Sequence, residues 1–202
     1  MNIPSNTIDR LCKIFGQLDI LGKKSIEFVS SKDLAIAIGT TEYTVRKDIS
    51  LIGVTGFTRK GYEVVSLKEQ LGEKLNLKTQ RKACIVGLGR LGTALLDYEK
   101  FKQDGFDIVA GFDSSINKIE RIHTSIDVFS VAELENVVSQ CNIELGIIAV
   151  PSEHAQDIAD KLVRAGVKGI LNFSPVEINV NENIIYSRID LTNALRSIAA
   201  RF

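Results

Sequence analysis

A chain of 202 residues, 45% hydrophobic and 25% charged, can bury one generous core or two modest ones as an ordinary soluble globular protein. Its 25 Lys/Arg offset 25 Asp/Glu, no apolar run approaches the roughly 18 residues that a membrane-spanning helix needs, and the first residues lack a secretory pattern. Three scattered cysteines (Cys12, Cys84, Cys141) and two histidines argue against a disulfide frame and a zinc centre, so the expectation is a cytoplasmic protein with reduced thiols, no metal and no membrane partner.

The segment NTIDRLCKIFGQLDILG places Ile8, Leu11, Cys12, Phe15 and Leu18 on one face of a first helix ending near Gly22. Next, VSSKDLAIAIG carries Ser30 as a cap, with Asp33 three positions later where a carboxylate satisfies a helix N-terminus. Leu34, Ala35 and Ile38 form its inner face, and Gly39 stops it in a tight turn. In TTEYTVRKDIS, Thr40 or Thr41 caps a third helix with Val45, Ile49 and Ile52 inward and Tyr43, Arg46, Lys47 and Ser50 outward. Two short helices joined at a glycine, with small Ala35 permitting close approach, match a helix-turn-helix. The outward cations and hydroxyls suit phosphates and base edges.

LIGVTGFTRKGYEVV then predicts a small hairpin that turns at Gly53, Gly56 and Gly61, with Arg59 and Lys60 near its tip as a wing toward a neighbouring groove or backbone. SLKEQLGEKLNLK is a short amphipathic helix leading to a polar joint around residues 78–82. Through Gln80 the chain has 12 Lys/Arg against 9 Asp/Glu, or +3, and from Arg81 onward 13 against 16, or −3. That mild polarity is compatible with a DNA-reading head on a neutral or acidic body.

From Ala83 the period changes. ACIVGLGRLG reads as a buried strand, a glycine turn and a helix through about Lys100. FDIVAGFD is a second strand ending at Asp113, and ELGIIAVP a third ending at Val150-Pro151, followed by the helix SEHAQDIADKLVRAG. VKGILNF and NIIYSR supply two more strands. Strands alternating with helices predict an α/β domain, a Rossmann-like parallel sheet covered on both faces. The final segment, DLTNALRSIAARF, carries Leu191, Ala194, Leu195 and Ile198 on one stripe beyond the sheet, so its apolar face needs a surface from elsewhere.

Gly87-x-Gly89-x-x-Gly92 has the spacing of a dinucleotide fingerprint in the required strand–turn–helix context. The first glycine permits the turn, the second lets backbone approach a pyrophosphate, and the third lets helix and strand pack closely. The helix N-terminus, with Arg90 and Leu91 opening it, offers N–H groups to phosphates. Asp113, 26 residues after Gly87, can accept both hydroxyls of an adenosine ribose and repel a 2′-phosphate, which favours NAD(H) over NADP(H); Lys118 is placed to balance it. Coenzyme A is the competing ligand on this scaffold.

Nearly end to end, the sequence resembles the Rex family of bacterial redox-sensing transcriptional repressors. VSSKDLA, VRKDIS, IVGLGRLG, DYEKF, FDS, IAVPSEHAQDIADKLVRAGVKGILNFSPV and the late IDL carry the resemblance. It implies a winged-helix DNA-binding domain over 1–80, a Rossmann NAD(H)-binding domain over 81–188, and a C-terminal dimerisation helix over 189–202 that crosses into the partner of a homodimer. It further implies operator binding permitted by NAD⁺ and released when NADH closes the dimer. On that basis Arg46, Lys47 and Ser50 lie on the recognition helix, while Val150, Pro151 and the turn Asn172, Phe173, Ser174, Pro175 border the nicotinamide ring. Tyr98 lies near the same end, with Asp190 in redox-dependent contact with it. The wing departs from the family pattern YFGEFGxRGxGY: this chain reads LIGVTGFTRKGY, with Thr58 in the arginine slot and Arg59 one place later.

Two other classes stand beside this one. The first is an NAD-dependent oxidoreductase with a small head, which needs an acid or base beside the nicotinamide; only His123 and His154 are histidines, and the chain ends in one helix instead of a catalytic domain. The second is a nucleotide-binding regulatory dimer whose head has lost DNA recognition. The sensor, a non-enzyme, is the reading preferred.

Overall fold

The computed structural model describes residues 3–57 and 60–202. The chain divides into two compact units, Met1–Thr79 and Gln80–Phe202. The last helix groups with the second unit, and Gln80 joins it too.

The first unit is built from α1 (Ser5–Lys23), β1 (Phe28–Val29), α2 (Ser31–Ile38), α3 (Glu42–Leu51), β2 (Tyr62–Glu63) and α4 (Val64–Lys74). Both expected caps are present. The Ser30 hydroxyl accepts the Asp33 N–H at 3.1 Å, and the Thr41 hydroxyl accepts that of Thr44 at 3.1 Å. Between them Gly39 adopts φ +72°, the left-handed conformation that closes a helix at no Cβ cost.

The register of α1 corrects the sequence reading. Thr7, Leu11, Ile14 and Leu18 are the buried residues, while Ile8 and Cys12 are exposed and Phe15 is only partly covered. The stripe rotates because Thr7, polar and thus missed by a hydrophobic pattern, turns inward to donate its hydroxyl to Asp48 at 3.3 Å. Asp48, buried on α3, also receives a two-pronged grip from Arg10, with Nε to Oδ2 at 2.6 Å and Nη2 to Oδ1 at 2.8 Å. That hydrogen bond to Asp48 raises the Arg10 pKa above the ordinary guanidinium value.

The wing is also built differently from a self-contained hairpin. Phe57 and Gly61 exchange backbone hydrogen bonds at 2.7 and 3.1 Å, with Lys60 directly before Gly61. The strand that follows, β2, pairs antiparallel with β1 from before the helix-turn-helix. Gly61, at φ +84°, is required here, since a Cβ would lie 2.3 Å from the Val29 carbonyl oxygen.

The second unit contains β3 (Arg81–Val86), α5 (Arg90–Leu96), α6 (Glu99–Gln103), β4 (Phe106–Asp113), α7 (Ile116–Ile119), β5 (Val128–Ser130), α8 (Leu134–Gln140), β6 (Leu145–Ile148), α9 (Ser152–Arg164), β7 (Gly169–Asn172), β8 (Ile185–Arg188) and α10 (Leu191–Ala199). The six strands run parallel in the order β5-β4-β3-β6-β7-β8. Successive residues of β3 serve opposite faces, as strand geometry demands. Cys84 and Val86 join a core with α8 and α9 through Val137, Val138, Ile158 and Leu162, whereas Ile85 packs with Leu88, Leu96 and Ile147 on the other side. The sheet is thus covered twice.

Three features differ from expectation. The strand β5 forms an unforeseen edge, β3 opens at Arg81 within the supposed polar joint, and the helix after the glycine turn breaks at Asp97-Tyr98 before α6. At the break, the Asp97 carboxylate accepts the Thr124 hydroxyl at 2.8 Å.

At the amino ends of the strands, Arg81 (2.6 Å) and Lys168 (3.2 Å) both grip Glu144 and hold its carboxyl below the ordinary value of 4.5. A depressed folded pKa gives stabilisation that is present above the unfolded value and lost as pH falls through the folded one. The difference in urea midpoint between wild type and Glu144→Gln is therefore expected at neutral pH and should narrow as pH drops below about 4.5. A difference independent of pH would contradict this.

Candidate functional site

From β3 the chain builds outward through β4 and β5 on one side, then crosses back to lay β6 on the other side of β3, so the strand order reverses at β3. The crevice at such a reversal, outside the carboxyl ends of the strands, is where open α/β sheets bind ligands. The turn after β3 sits there. Gly87, at φ +97°, packs against the segment after β6 so closely that a Cβ would lie 2.6 Å from the Ala149 carbonyl oxygen and 2.7 Å from Val150 Cγ1. Gly92 allows α5 to settle on the turn, since its Cβ would lie 1.9 Å from the Gly87 oxygen.

Gly89 is different. Its φ of −74° suits any residue, and a Cβ there meets nothing within 4 Å. The fold makes no demand for glycine at 89.

Leu88, Gly89, Arg90, Thr93, Ala94, Asp97 and Lys118 line an open cleft of about 760 Å³ over this turn. Asp113, only 4% exposed in its side chain, lies behind this lining, bonded to Leu88 and Lys118. Its Oδ2 accepts the Leu88 N–H at 2.9 Å, and its Oδ1 accepts the Ser115 N–H at 2.8 Å. Lys118, more than half exposed, brings its ammonium to 3.3 and 3.5 Å from the two oxygens. Thr93 donates its hydroxyl to the Leu88 carbonyl at 3.1 Å, so both backbone groups of Leu88 are pinned and the turn is preorganised. Of these lining residues, sequence reading found Gly89, Arg90 and Lys118 but not Leu88, Thr93, Ala94 or Asp97. Their one signal was position, in the glycine motif or on the helix that it opens. Leu91 is exposed on the same helix and is not among the cleft residues.

The second group assembles around the end of β7. The Asn172 side chain, fully buried, donates to the Val176 carbonyl at 2.8 Å and accepts the Ser174 N–H at 2.8 Å. The Ser174 hydroxyl donates to the Val150 carbonyl, which ties this turn to the one after β6. Phe173 packs on the Ile85 side of the sheet, and Pro151 and Pro175 are exposed. Tyr98 and Asp190 are not joined by a hydrogen bond within this chain. The Tyr98 ring meets Phe101 edge-on at 5.1 Å, while Asp190 caps α10 by accepting the Asn193 N–H at 2.8 Å and pairs with Arg188 at 3.2 Å. Every residue of α10 is exposed, its apolar stripe included.

On α3, Tyr43, Arg46, Lys47 and Ser50 are all exposed and Val45, Ile49 and Ile52 are buried, as expected. Arg46 is ion-paired with Glu42. Lys60 stands over the Phe28 ring at 5.2 Å, and Arg59 lies outside the described residues.

Neither Cys84 nor Cys12 offers an activated nucleophile. Burial pushes Cys84 up to about 12, and desolvation, aided by Asp9, raises Cys12 although it reaches the surface. Both histidines are exposed and neither lines the cleft. Among the described residues no group of three or more potential ligands is placed to hold a metal, and no helix is long and apolar enough to cross a membrane.

Residues 78–176 match the family model described as "CoA binding domain", and residues 2–50 match "Putative DNA-binding protein N-terminus". The chain is 43% identical to the redox-sensing transcriptional repressor Rex of Carboxydothermus hydrogenoformans, with 94% of this chain and 91% of that protein covered. It is 40% identical to Rex 1 of Thermotoga maritima, with 96% and 93% covered. The crystal structure of RSP in complex with beta-NADH is similar over 100% of this chain and 94% of that one (TM-score 0.88, 29% identity). RSP in complex with beta-NAD⁺ and operator DNA is similar over 100% and 93% (TM-score 0.86, 30% identity). A helix-turn-helix unit followed by a doubly wound sheet with a glycine cradle defines a two-unit transcriptional regulator. The chain belongs to the Rex family of redox-sensing transcriptional repressors.

Proposed function

We propose that this protein is a homodimeric repressor that binds operator DNA through α3 and the wing and is released when NADH replaces NAD⁺ in the cleft over Gly89. Asp113 is the observation that carries the choice of ligand. Its carboxylate, held at the cradle by two backbone N–H groups, suits the free hydroxyls of an NAD(H) ribose and opposes the phosphorylated ribose of coenzyme A or NADP(H). The N–H groups of the first turn of α5, which lack intrahelical partners, are placed to take the pyrophosphate. Val150, Pro151 and the turn from Asn172 to Pro175 then border the nicotinamide, and Tyr98 and Asp190 take part in switching. The exposed stripe of α10 supplies the dimer contact, which completes a division into head, body and dimerisation helix. We read the protein as a cytoplasmic sensor and not an enzyme, in keeping with two histidines that stand outside the cleft.

The switch is a difference in affinity between two dimer states. Apolar surfaces of a closed dimer favour neutral dihydronicotinamide over the cationic oxidised ring, and a ligand shifts an equilibrium only by such a difference. Two α3 helices must match half-sites about 34 Å or a multiple apart, so a changed separation prevents both from engaging. On a palindromic duplex selected by the wild-type protein from a random library, saturating NADH is expected to weaken binding at least about tenfold relative to NAD⁺, a coupling of ordinary size. Equal affinity with the two forms overturns the reading.

A further inference from the structure

Glu42 opens α3, and its carboxylate lies among groups assigned here to DNA. It pairs with Arg46 one turn along the helix and accepts the Ser31 hydroxyl at 2.9 Å, while Arg46 Nη1 also donates to Ser31 Oγ at 3.4 Å. Ser31 begins α2, so the triad spans the two helices of the helix-turn-helix. A guanidinium, a hydroxyl and the start of a helix are the groups that receive a phosphate oxygen in protein–DNA contacts. Here a carboxylate of the same chain receives the guanidinium and the hydroxyl beside the start of α2. Side-chain exposures of 53% for Arg46 and 43% for Glu42 leave the pair open to exchange with an incoming anion.

We propose that Glu42 stands in for a DNA phosphate, restraining Arg46 and holding duplex affinity below what the outward face of α3 otherwise gives. The inference rests on the assignment of α3 to DNA. Its test is a fluorescent mixed-sequence duplex of about two helical turns, titrated with the full chain and NAD⁺ from about 50 to 200 mM salt. Glu42→Gln is expected to tighten binding about three- to fivefold, the scale of one exposed ion pair. It should also steepen the slope of log affinity against log salt by about 0.9, the signature of one added phosphate contact. In an Arg46→Ala background the same substitution is expected to leave the slope unchanged.

An unchanged slope for Glu42→Gln, or an equal steepening without Arg46, overturns the restraint while the DNA assignment stands. Weaker binding by Glu42→Gln also overturns it, since Glu42 then aims Arg46 instead of withholding it. If neither wild type nor Glu42→Gln binds duplex, the assignment and the restraint fall together; binding by the variant alone supports both.

Discussion

Gly89→Val is expected to weaken NADH binding by a factor of about 100 or more, roughly 2.7 kcal/mol, with no fall in melting temperature. The two halves of that result have separate causes. A Cβ at 89 meets no protein atom within 4 Å beyond its chain neighbours and the backbone there is already in a region open to any residue, so the fold tolerates a side chain there. The same side chain projects into the space through which a pyrophosphate must approach the N–H groups of α5. Its neighbours behave oppositely. Gly92→Ala places a Cβ 1.9 Å from the Gly87 oxygen, and Gly87→Ala places one 2.6 Å from the Ala149 oxygen at a φ of +97°, so both lose stability along with binding. Calorimetric titration with NADH beside thermal melts of the three variants separates these outcomes. A Gly89→Val protein that binds NADH as wild type does removes the nucleotide from this turn.

Asp48→Ala is expected to destabilise the first unit by about 2 kcal/mol, the scale of lost charge-assisted hydrogen bonds, and, with α3 proposed as the DNA-binding helix, to weaken DNA binding although Asp48 lies on the buried face of that helix. Asp48 is the buried member of the pair and Arg10 the partly exposed one, so its loss removes hydrogen bonds without stranding a buried cation. The bonds lost are the two-pronged grip of Arg10, which joins α1 to α3, and the hydroxyl of Thr7 as a third member. The outward face of α3 is aimed only as well as its inward face is anchored. Arg10→Lys is expected to show a smaller loss in the same direction, because an ammonium cannot reproduce the planar fork. Urea unfolding followed through the first unit, with duplex binding and NADH titration in parallel, tests the chain of cause. An unchanged urea midpoint for Asp48→Ala denies the anchor its role, and NADH affinity is expected to stay at the wild-type level.

The helix-turn-helix and the glycine cradle were legible in the sequence because their determinants are local. Ser30, Gly39 and Thr41 act within a few residues of themselves, and the glycine spacing reports a turn whose demands lie within one strand and one helix. The Arg10–Asp48 pair was not legible. Its members are 38 residues apart, and a buried aspartate in the run VRKD reads as one more charge on a polar face. The same pair explains the misread register of α1, since Thr7 is buried for its hydroxyl and not for apolar surface. Strands β1 and β5 are two and three residues long, too short for alternation to declare itself, and each exists because a partner strand offers it hydrogen bonds. The break at Asp97-Tyr98 was hidden because nothing in LLDYEKF interrupts helical spacing. Tyr98 and Asp190 drew their assignment from resemblance alone, and within one subunit each is satisfied by its own neighbours.

The central position of β3 bears on how the molecule is made. Its partner β6 aligns Ala83 with Leu145, so the middle of the sheet stays open until 62 further residues have left the ribosome. Parallel pairing over such a separation is slow, whereas the helical first unit closes over shorter loops and emerges earlier. During synthesis the reading head is thus finished before the sheet that is to govern it.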